Sequence, residues 1–189
     1  MALIPVAQTM PAVEVSAVVA GGQESMSNAP FYAYRLRNGV KFGDLTLIDG
    51  LIKDGLWCSF CDVHMGGHAE YTAKKAGITR QQQDQFALES HRKAIAAMDA
   101  GRFNDEITPV EIPGKKGPTV IAADESPRRD TSEEALAKLR PAFPKDAPKD
   151  MSPGELTVTA GNAPGLNDGG AALVVTSLGF ANAHGLKPL

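Results

Sequence analysis

The spacing of apolar and polar positions changes several times along the chain. Residues 16–20 (Ser-Ala-Val-Val-Ala) form a short apolar run that ends at Gly21-Gly22, which predicts a buried strand emptying into a loop. Upstream, residues 3–10 fit a short helix that Pro5 and Pro11 confine, because proline is tolerated in a first turn but not in a helix interior. Polar and glycine content then rises over residues 23–44, with turn signals at Asn28-Ala29-Pro30 and Asn38-Gly39, so an extended excursion is expected. Residues 45–56 set Leu47, Ile48, Leu51 and Ile52 at helical spacing behind Asp44 as a cap, predicting one short amphipathic helix.

The clearest helical pattern covers residues 80–100. Thr79 with Gln82 three positions later makes a capping box, and Gly101 stands where a left-handed stop is needed. Phe86, Ala87, Ser90, Ala94, Ala97 and Met98 recur at steps of three and four and predict an inner face suited to close helix packing, with Arg80 and Gln83 among the residues facing elsewhere. Beyond it, residues 107–112 alternate and residues 118–122 repeat a brief strand pattern across Gly114-Lys115-Lys116-Gly117, which predicts a hairpin. One more short helix is expected over 131–139, stopped by Arg140-Pro141, followed by a surface loop over 143–154. Residues 170–176 form a continuous apolar strand. Two buried strands separated by about 150 residues of helical, hairpin and irregular material describe a large insertion hanging from a sheet.

Composition adds limits. A chain of 189 residues with 43% hydrophobic and 22% charged positions can bury a sizeable core and lies far from the profile of disorder. The formal net charge of −3, with basic residues scattered, argues against nucleic acid as a partner. No apolar run reaches the roughly 18 residues of a membrane span, and the first residues lack a basic leader region, so no membrane partner is expected and the sequence reads as cytoplasmic. The two cysteines, Cys58 and Cys61, are too few for a disulfide scaffold and are expected reduced.

Those cysteines invite two readings of their own. Trp57-Cys58-Ser59-Phe60-Cys61 has the form of a thioredoxin-type redox site, but that motif needs a strand before it and a helix opening at the first cysteine, whereas here a helix is expected to precede it. Cys58, Cys61, His64 and His68 carry donors suited to Zn²⁺, but structural zinc sites usually join two ligand pairs across a longer spacer, so no metal site is expected and a Cys/His zinc-binding domain stands only as an alternative. The plain alternative is two small, inert thiols and loop histidines with satisfied hydrogen bonds. The glycines over 161–170 are explained by turn geometry, and no Gly-Lys-Ser/Thr follows them to make a phosphate loop.

Three stretches together carry a resemblance: Val18-Val19-Ala20-Gly21-Gly22-Gln23-Glu24-Ser25-Met26-Ser27, His64-Met65-Gly66, and Thr159-Ala160-Gly161-Asn162-Ala163-Pro164-Gly165-Leu166-Asn167-Asp168-Gly169. In this order they resemble the thiolases, the acetyl-CoA acyltransferases of biosynthetic and degradative fatty acid metabolism, and Gly101-Arg102-Phe103-Asn104-Asp105-Glu106-Ile107 and Lys138-Leu139-Arg140-Pro141-Ala142-Phe143 extend the likeness over nearly the whole chain. The resemblance implies an α/β fold, part of a duplicated α/β/α sandwich with an inserted α+β loop domain. Residues 1–22 would be a remnant of the N-terminal core, 23–158 the loop domain, and 159–189 the last strand of the first core half and the start of a linker.

By the same resemblance the substrate is a coenzyme A thioester, with no tightly bound cofactor, acyl-CoA as the small-molecule partner, and a homo-oligomer, dimer or tetramer, for the full-length parent. His64 and Met65 would lie against the pantetheine arm and acyl pocket, Leu56 and Phe143 would line the channel, Arg128 or the adjacent Arg129 would approach the nucleotide, and the turn from Ala160 to Pro164 would pass along the pantetheine. The family usually has serine where this chain has Pro164, which removes a hydroxyl contact. The family's nucleophilic cysteine, its Gly-His-Pro histidine, its Asn-Glu-Ala-Phe asparagine and its second cysteine are not found, and the chain is expected to start just past the first of these and to stop before the others. A thiolate takes the acyl group and fixed donors stabilise the charge that develops on the thioester oxygen. Without those groups the 189 residues are expected to supply a binding wall and to be inactive alone, the alternative being a non-catalytic coenzyme A binding or assembly module.

Overall fold

The computed structural model describes residues 15–188 together with Gln8. The helix expected over residues 3–10 otherwise lies outside the described residues. In chain order the elements are β1 (Ala17–Glu24), β2 (Phe31–Tyr32), β3 (Ile48–Asp49), β4 (Trp57–Cys58), β5 (Val63–His64), α1 (Met65–Ala76), α2 (Arg80–Asp99), β6 (Val110–Ile112), β7 (Thr119–Ile121), α3 (Glu133–Ala137), β8 (Gly169–Thr176) and α4 (Leu178–Ala183). The chain divides into two compact units, one of Met1–Leu51 with Leu166–Leu189 and one of Ile52–Gly165.

The first unit is built on a long antiparallel ribbon in which β1 pairs with β8 from Ala17 opposite Thr176 to Glu24 opposite Gly169. Gly21 is required there: a Cβ on it would stand 2.5 Å from the carbonyl oxygen of Ala171. The ribbon departs from expectation in burial. Val19 and its cross-strand partner Val174 are 70% and 66% exposed, and Ala20 is the buried position of β1. Among the described residues these two strands pair only with each other, so apolar sequence did not translate into burial. At the strand ends, Asp168 accepts hydrogen bonds from Ser27 N (2.9 Å), from the Ser27 hydroxyl and from Ser25 Oγ (3.3 Å), which ties the loop after β1 to the residues leading into β8.

The amphipathic helix expected over 45–56 is replaced by other structure. β3 pairs with β2, and Gly50 N donates to Pro30 O at 2.9 Å, so the backbone is committed to strand pairing before a helical turn can close. A π-helical turn, Leu51–Leu56, follows, its first amide capped by Asp49 Oδ1 at 2.9 Å.

In the second unit α2 has the expected start and stop. Thr79 and Gln82 form the reciprocal capping box, and Gly101 adopts φ +67°. The expected inner face is displaced around the helix. Asp84 and Leu88 are the buried residues of α2, Phe86 is 80% exposed and Ser90 is exposed, while Arg80 and Gln83 turn inward. The displacement follows from a polar core: Arg80 donates to Asp84 (2.8 Å) and to the carbonyls of Leu136 (2.6 Å) and Leu139 (3.1 Å), and Gln83 Nε2 donates to Thr157 Oγ1 (2.9 Å). The β6–β7 hairpin and α3, capped by Ser132, form within the expected spans but are shorter than them.

Helix α1 was not signalled by hydrophobic spacing. It opens at Gly66-Gly67, where His64 Nδ1 accepts from Gly66 N (2.9 Å), and closes at Gly77 with φ +65°. The glycines allow close approach, since a Cβ on Gly66 would stand 2.2 Å from the ring of Phe143 and one on Gly67 2.2 Å from the carbonyl oxygen of Asp146. The same face continues through the buried Glu70 and Ala73, and Glu70 bonds to the 157–158 backbone beside the buried Leu156 and Val158.

Candidate functional site

Within the second unit, α2, α3, the 126–131 loop and the 160–165 turn line a half-open groove of about 770 Å³. That volume suits a drug-sized or cofactor-sized ligand. Phe86, Ala87, Leu136, Leu139, Ala160 and Pro164 contribute its apolar lining, and Arg128 and Asp130 its charged groups. Three residues singled out from the sequence, Arg128, Ala160 and Pro164, are therefore brought together.

The turn at 160–164 is fixed from beneath by polar groups that sequence reasoning missed. Glu70 is fully buried, and its carboxylate accepts from Thr157 N (3.0 and 2.9 Å), Thr157 Oγ1 (2.9 Å) and Val158 N (2.8 Å). Asn162 then locks the turn onto the same segment: Thr159 N donates to its Oδ1 (2.8 Å), and its Nδ2 donates to Thr157 O (3.0 Å) and to Asp84 Oδ1 (2.9 Å). Since Asp84 also accepts from Arg80, α2, α3 and the turn are joined through one buried carboxylate. Gly161 allows this packing, because a Cβ there would meet Leu136 Cδ2 at 2.5 Å and Leu139 Cδ1 at 2.6 Å. A signal for Glu70 did exist: Gly66, Glu70 and Ala73 share a helix face whose other members are small, which marks that face as a close contact.

The two adjacent arginines separate cleanly. Arg128 lines the cavity, its backbone N–H donating to His91 Nδ1 (3.2 Å) and its guanidinium pairing with Asp130 (3.3 and 3.1 Å). Asp130 raises Arg128 above its ordinary pKa, and Arg128 holds the Asp130 carboxyl below the usual carboxylate range. Arg129 is absent from the lining and makes a bidentate pair with Asp99 (3.0 and 2.5 Å). The groove thus offers the Arg128–Asp130 ion pair beside apolar side chains. No thiol is among its described lining residues, and the imidazole it contains, His91, has Nδ1 engaged.

The other expected site residues form a second group. His64 and Phe143 stack with ring centroids 5.0 Å apart and planes inclined at 30°; Met65 follows at the start of α1, 41% exposed, and the half-buried Leu56 precedes β4. None of these four is among the residues lining the 770 Å³ cavity. Phe143 connects to it through the backbone: Pro141 bridges to Thr159, and Ala142 N donates to Val158 O at 2.9 Å, so Phe143 and Ala160 extend from one paired segment.

Cys58 and Cys61 sit on the β4–β5 hairpin. Cys58 lies within a strand rather than at the mouth of a helix, which removes the structural basis of a thioredoxin-type site. The backbone N–H of Cys61, and then the His68 side chain, bring the Cys58 thiol down to about 7, and the neighbouring Cys58 pushes the Cys61 thiol up. His64, counted from the sequence among possible metal donors, is engaged with Gly66 and Phe143.

The model of the family described as "Thiolase, N-terminal domain" matches residues 1–178. The acetyl-CoA acetyltransferase of Pseudomonas aeruginosa is 49% identical over 184 residues, covering 97% of this chain and 44% of that protein. The acetyl-CoA acetyltransferase of Paracoccus denitrificans is 52% identical over 172 residues, covering 91% of this chain and 41% of that protein. Among solved structures, acetyl-CoA acetyltransferase from Syntrophomonas wolfei superposes with a TM-score of 0.85 at 40% identity over 98% of this chain and 44% of that one. Human mitochondrial 3-ketoacyl-CoA thiolase superposes with a TM-score of 0.84 at 38% identity over 99% and 45%. The chain therefore spans less than half the length of these relatives, and the expected α/β fold is borne out.

Proposed function

We propose, from the premise that this chain belongs to the thiolase family, that it serves acyl transfer between coenzyme A thioesters by supplying the wall that binds the thioester. The observation that carries this reading is the groove lined by Arg128, Ala160 and Pro164, in which a phosphate would compete with Asp130 for the Arg128 guanidinium and apolar side chains would take a pantetheine arm. In this reading Arg128 rather than Arg129 meets the nucleotide, the 160–164 turn runs along the pantetheine, and Leu56, His64, Met65 and Phe143 border the acyl end. Pro164 gives that wall no hydroxyl. Residues 1–22 and 159–189 belong to the core and 23–158 to the loop domain, and acyl transfer proceeds in a homo-oligomer of the full-length enzyme.

The 189 residues on their own bind and do not turn over, a reading supported by the lack of a thiol among the described residues of the cavity wall. Calorimetric titration with coenzyme A tests the binding. Saturable heat is expected, and Arg128→Ala should weaken affinity about tenfold, the scale of a lost hydrogen bond to a charged group. Absence of heat at millimolar coenzyme A defeats the binding-wall reading. Acetoacetyl-CoA thiolysis that disappears on replacing Cys58 or Cys61 defeats the claim that the chain does not turn over.

A further inference from the structure

The geometry points to a zinc site formed by Cys58, Cys61 and His68, separate from the cavity that the coenzyme A reading uses. Their ligating atoms all lie within 4.8 Å of one another. Tetrahedral zinc with Zn–S of about 2.3 Å and Zn–N of about 2.0–2.1 Å sets its donors roughly 3.5–3.8 Å apart, so a small rotamer adjustment closes the cluster around an ion. Two thiolates and an imidazole are the soft and borderline donors that select Zn²⁺ over magnesium or calcium.

A second observation concerns His68 itself. Its Nε2 is buried and has no hydrogen-bond partner, an arrangement that costs free energy unless something accepts or coordinates there. A metal ion coordinated through Nε2 would satisfy that nitrogen. The supports are rigid: Cys58 is held by pairing with Val63, and Asp62 N donates to Cys58 O (2.9 Å). Asp62 takes the left-handed conformation at φ 55°, and its Oδ1 accepts from Trp57 Nε1 (2.9 Å), which shapes the turn carrying Cys61. His68 projects from the first turns of α1, the helix that follows β5. Binding forms two Zn–S bonds and one Zn–N bond and releases the thiol protons to solvent; a water completes the fourth position.

The test uses the reduced 189-residue chain with Co²⁺ as a spectroscopic probe of the zinc position. One equivalent is expected to bind, giving a thiolate-to-cobalt charge-transfer band and the intense visible bands of a four-coordinate ion, both abolished by added Zn²⁺. Cys58→Ser and Cys61→Ser should each reduce the charge-transfer band. His68→Asn should weaken affinity at least about tenfold, since even outer-shell partners command that much. An unmodified-chain control guards against variants that fail to fold: saturating Zn²⁺ should protect both thiols from a disulfide reagent. Failure of Co²⁺ to bind, binding without a thiolate band, unchanged affinity in folded variants, or equal thiol reactivity with and without Zn²⁺ each overturns the site. None of these readouts depends on coenzyme A binding, so the two readings fail separately.

Discussion

Two backbone N–H groups and a hydroxyl converge on the Glu70 carboxylate, a group that is wholly removed from water. Burial of a charge is tolerated only when its acceptor capacity is used, and here it is used by the segment that leads into the cavity rim. Glu70→Gln turns an amide donor toward these donors. The expected loss is about 2–3 kcal/mol in urea unfolding, the scale of hydrogen bonds to a charged group, together with weaker coenzyme A binding. Asp168 acts in the other unit, and its carboxyl is held below the ordinary range first by the Ser27 hydroxyl and then by the Ser27 amide. A depressed folded pKa means that its contribution is present above the unfolded value of about 3.9 and is lost as pH falls through the lower folded value. The Ser27 amide proton shift should therefore titrate with a midpoint below about 3.9, and Asp168→Asn should remove that titration.

At the scale of elements, α1 and α2 show how differently helices can be encoded. Helix α2 carries its own boundaries, and Thr79→Ala is expected to cost about 1 kcal/mol by leaving first-turn amides unpaired, measurable as a shift in the urea midpoint. Helix α1 instead depends on what lies against it, because its Gly-Gly opening is a poor helix start on propensity alone. Gly66→Ala places a methyl inside the Phe143 ring position. The expected outcome is a destabilisation of about 1–3 kcal/mol and loss of the ring-current shift that Phe143 imposes on the His64 ring protons in NMR spectra. The inner face of α2 was legible only in part: Ala87, Ala94, Ala97 and Met98 do turn from full exposure, but Phe86 does not, since the inward direction is set by Arg80, Asp84 and Gln83 bonding to α3 and the 157–162 segment. Periodicity weighs apolar residues and has no means of seeing a polar core.

On the scale of the whole chain, the β1–β8 ribbon leaves Val19, Leu173 and Val174 at 70%, 42% and 66% exposure. Exposed apolar strands are an aggregation liability. Light scattering is expected to show concentration-dependent association of the 189-residue chain, and the double change Val19→Lys with Val174→Lys should reduce it; a monodisperse unmodified chain at all concentrations contradicts this. The sequence by itself determined where the two ribbon strands lie, though not that β1 runs on through Gly21-Gly22 to Glu24, together with the capped helix α2, the β6–β7 hairpin, α3 and the family, because caps, turn glycines and ordered motifs act over a few residues and survive without knowledge of neighbours. Tertiary structure alone decided that Arg128 rather than Arg129 borders the cavity and that residues 48–56 pair and turn instead of forming an α-helix. It also decided that Glu70, Asp84 and Asn162 hold the rim, and that His68 rather than His64 joins the two cysteines. Each of those outcomes depends on groups distant in sequence meeting at hydrogen-bond or coordination range, and that distance has no signature in local spacing.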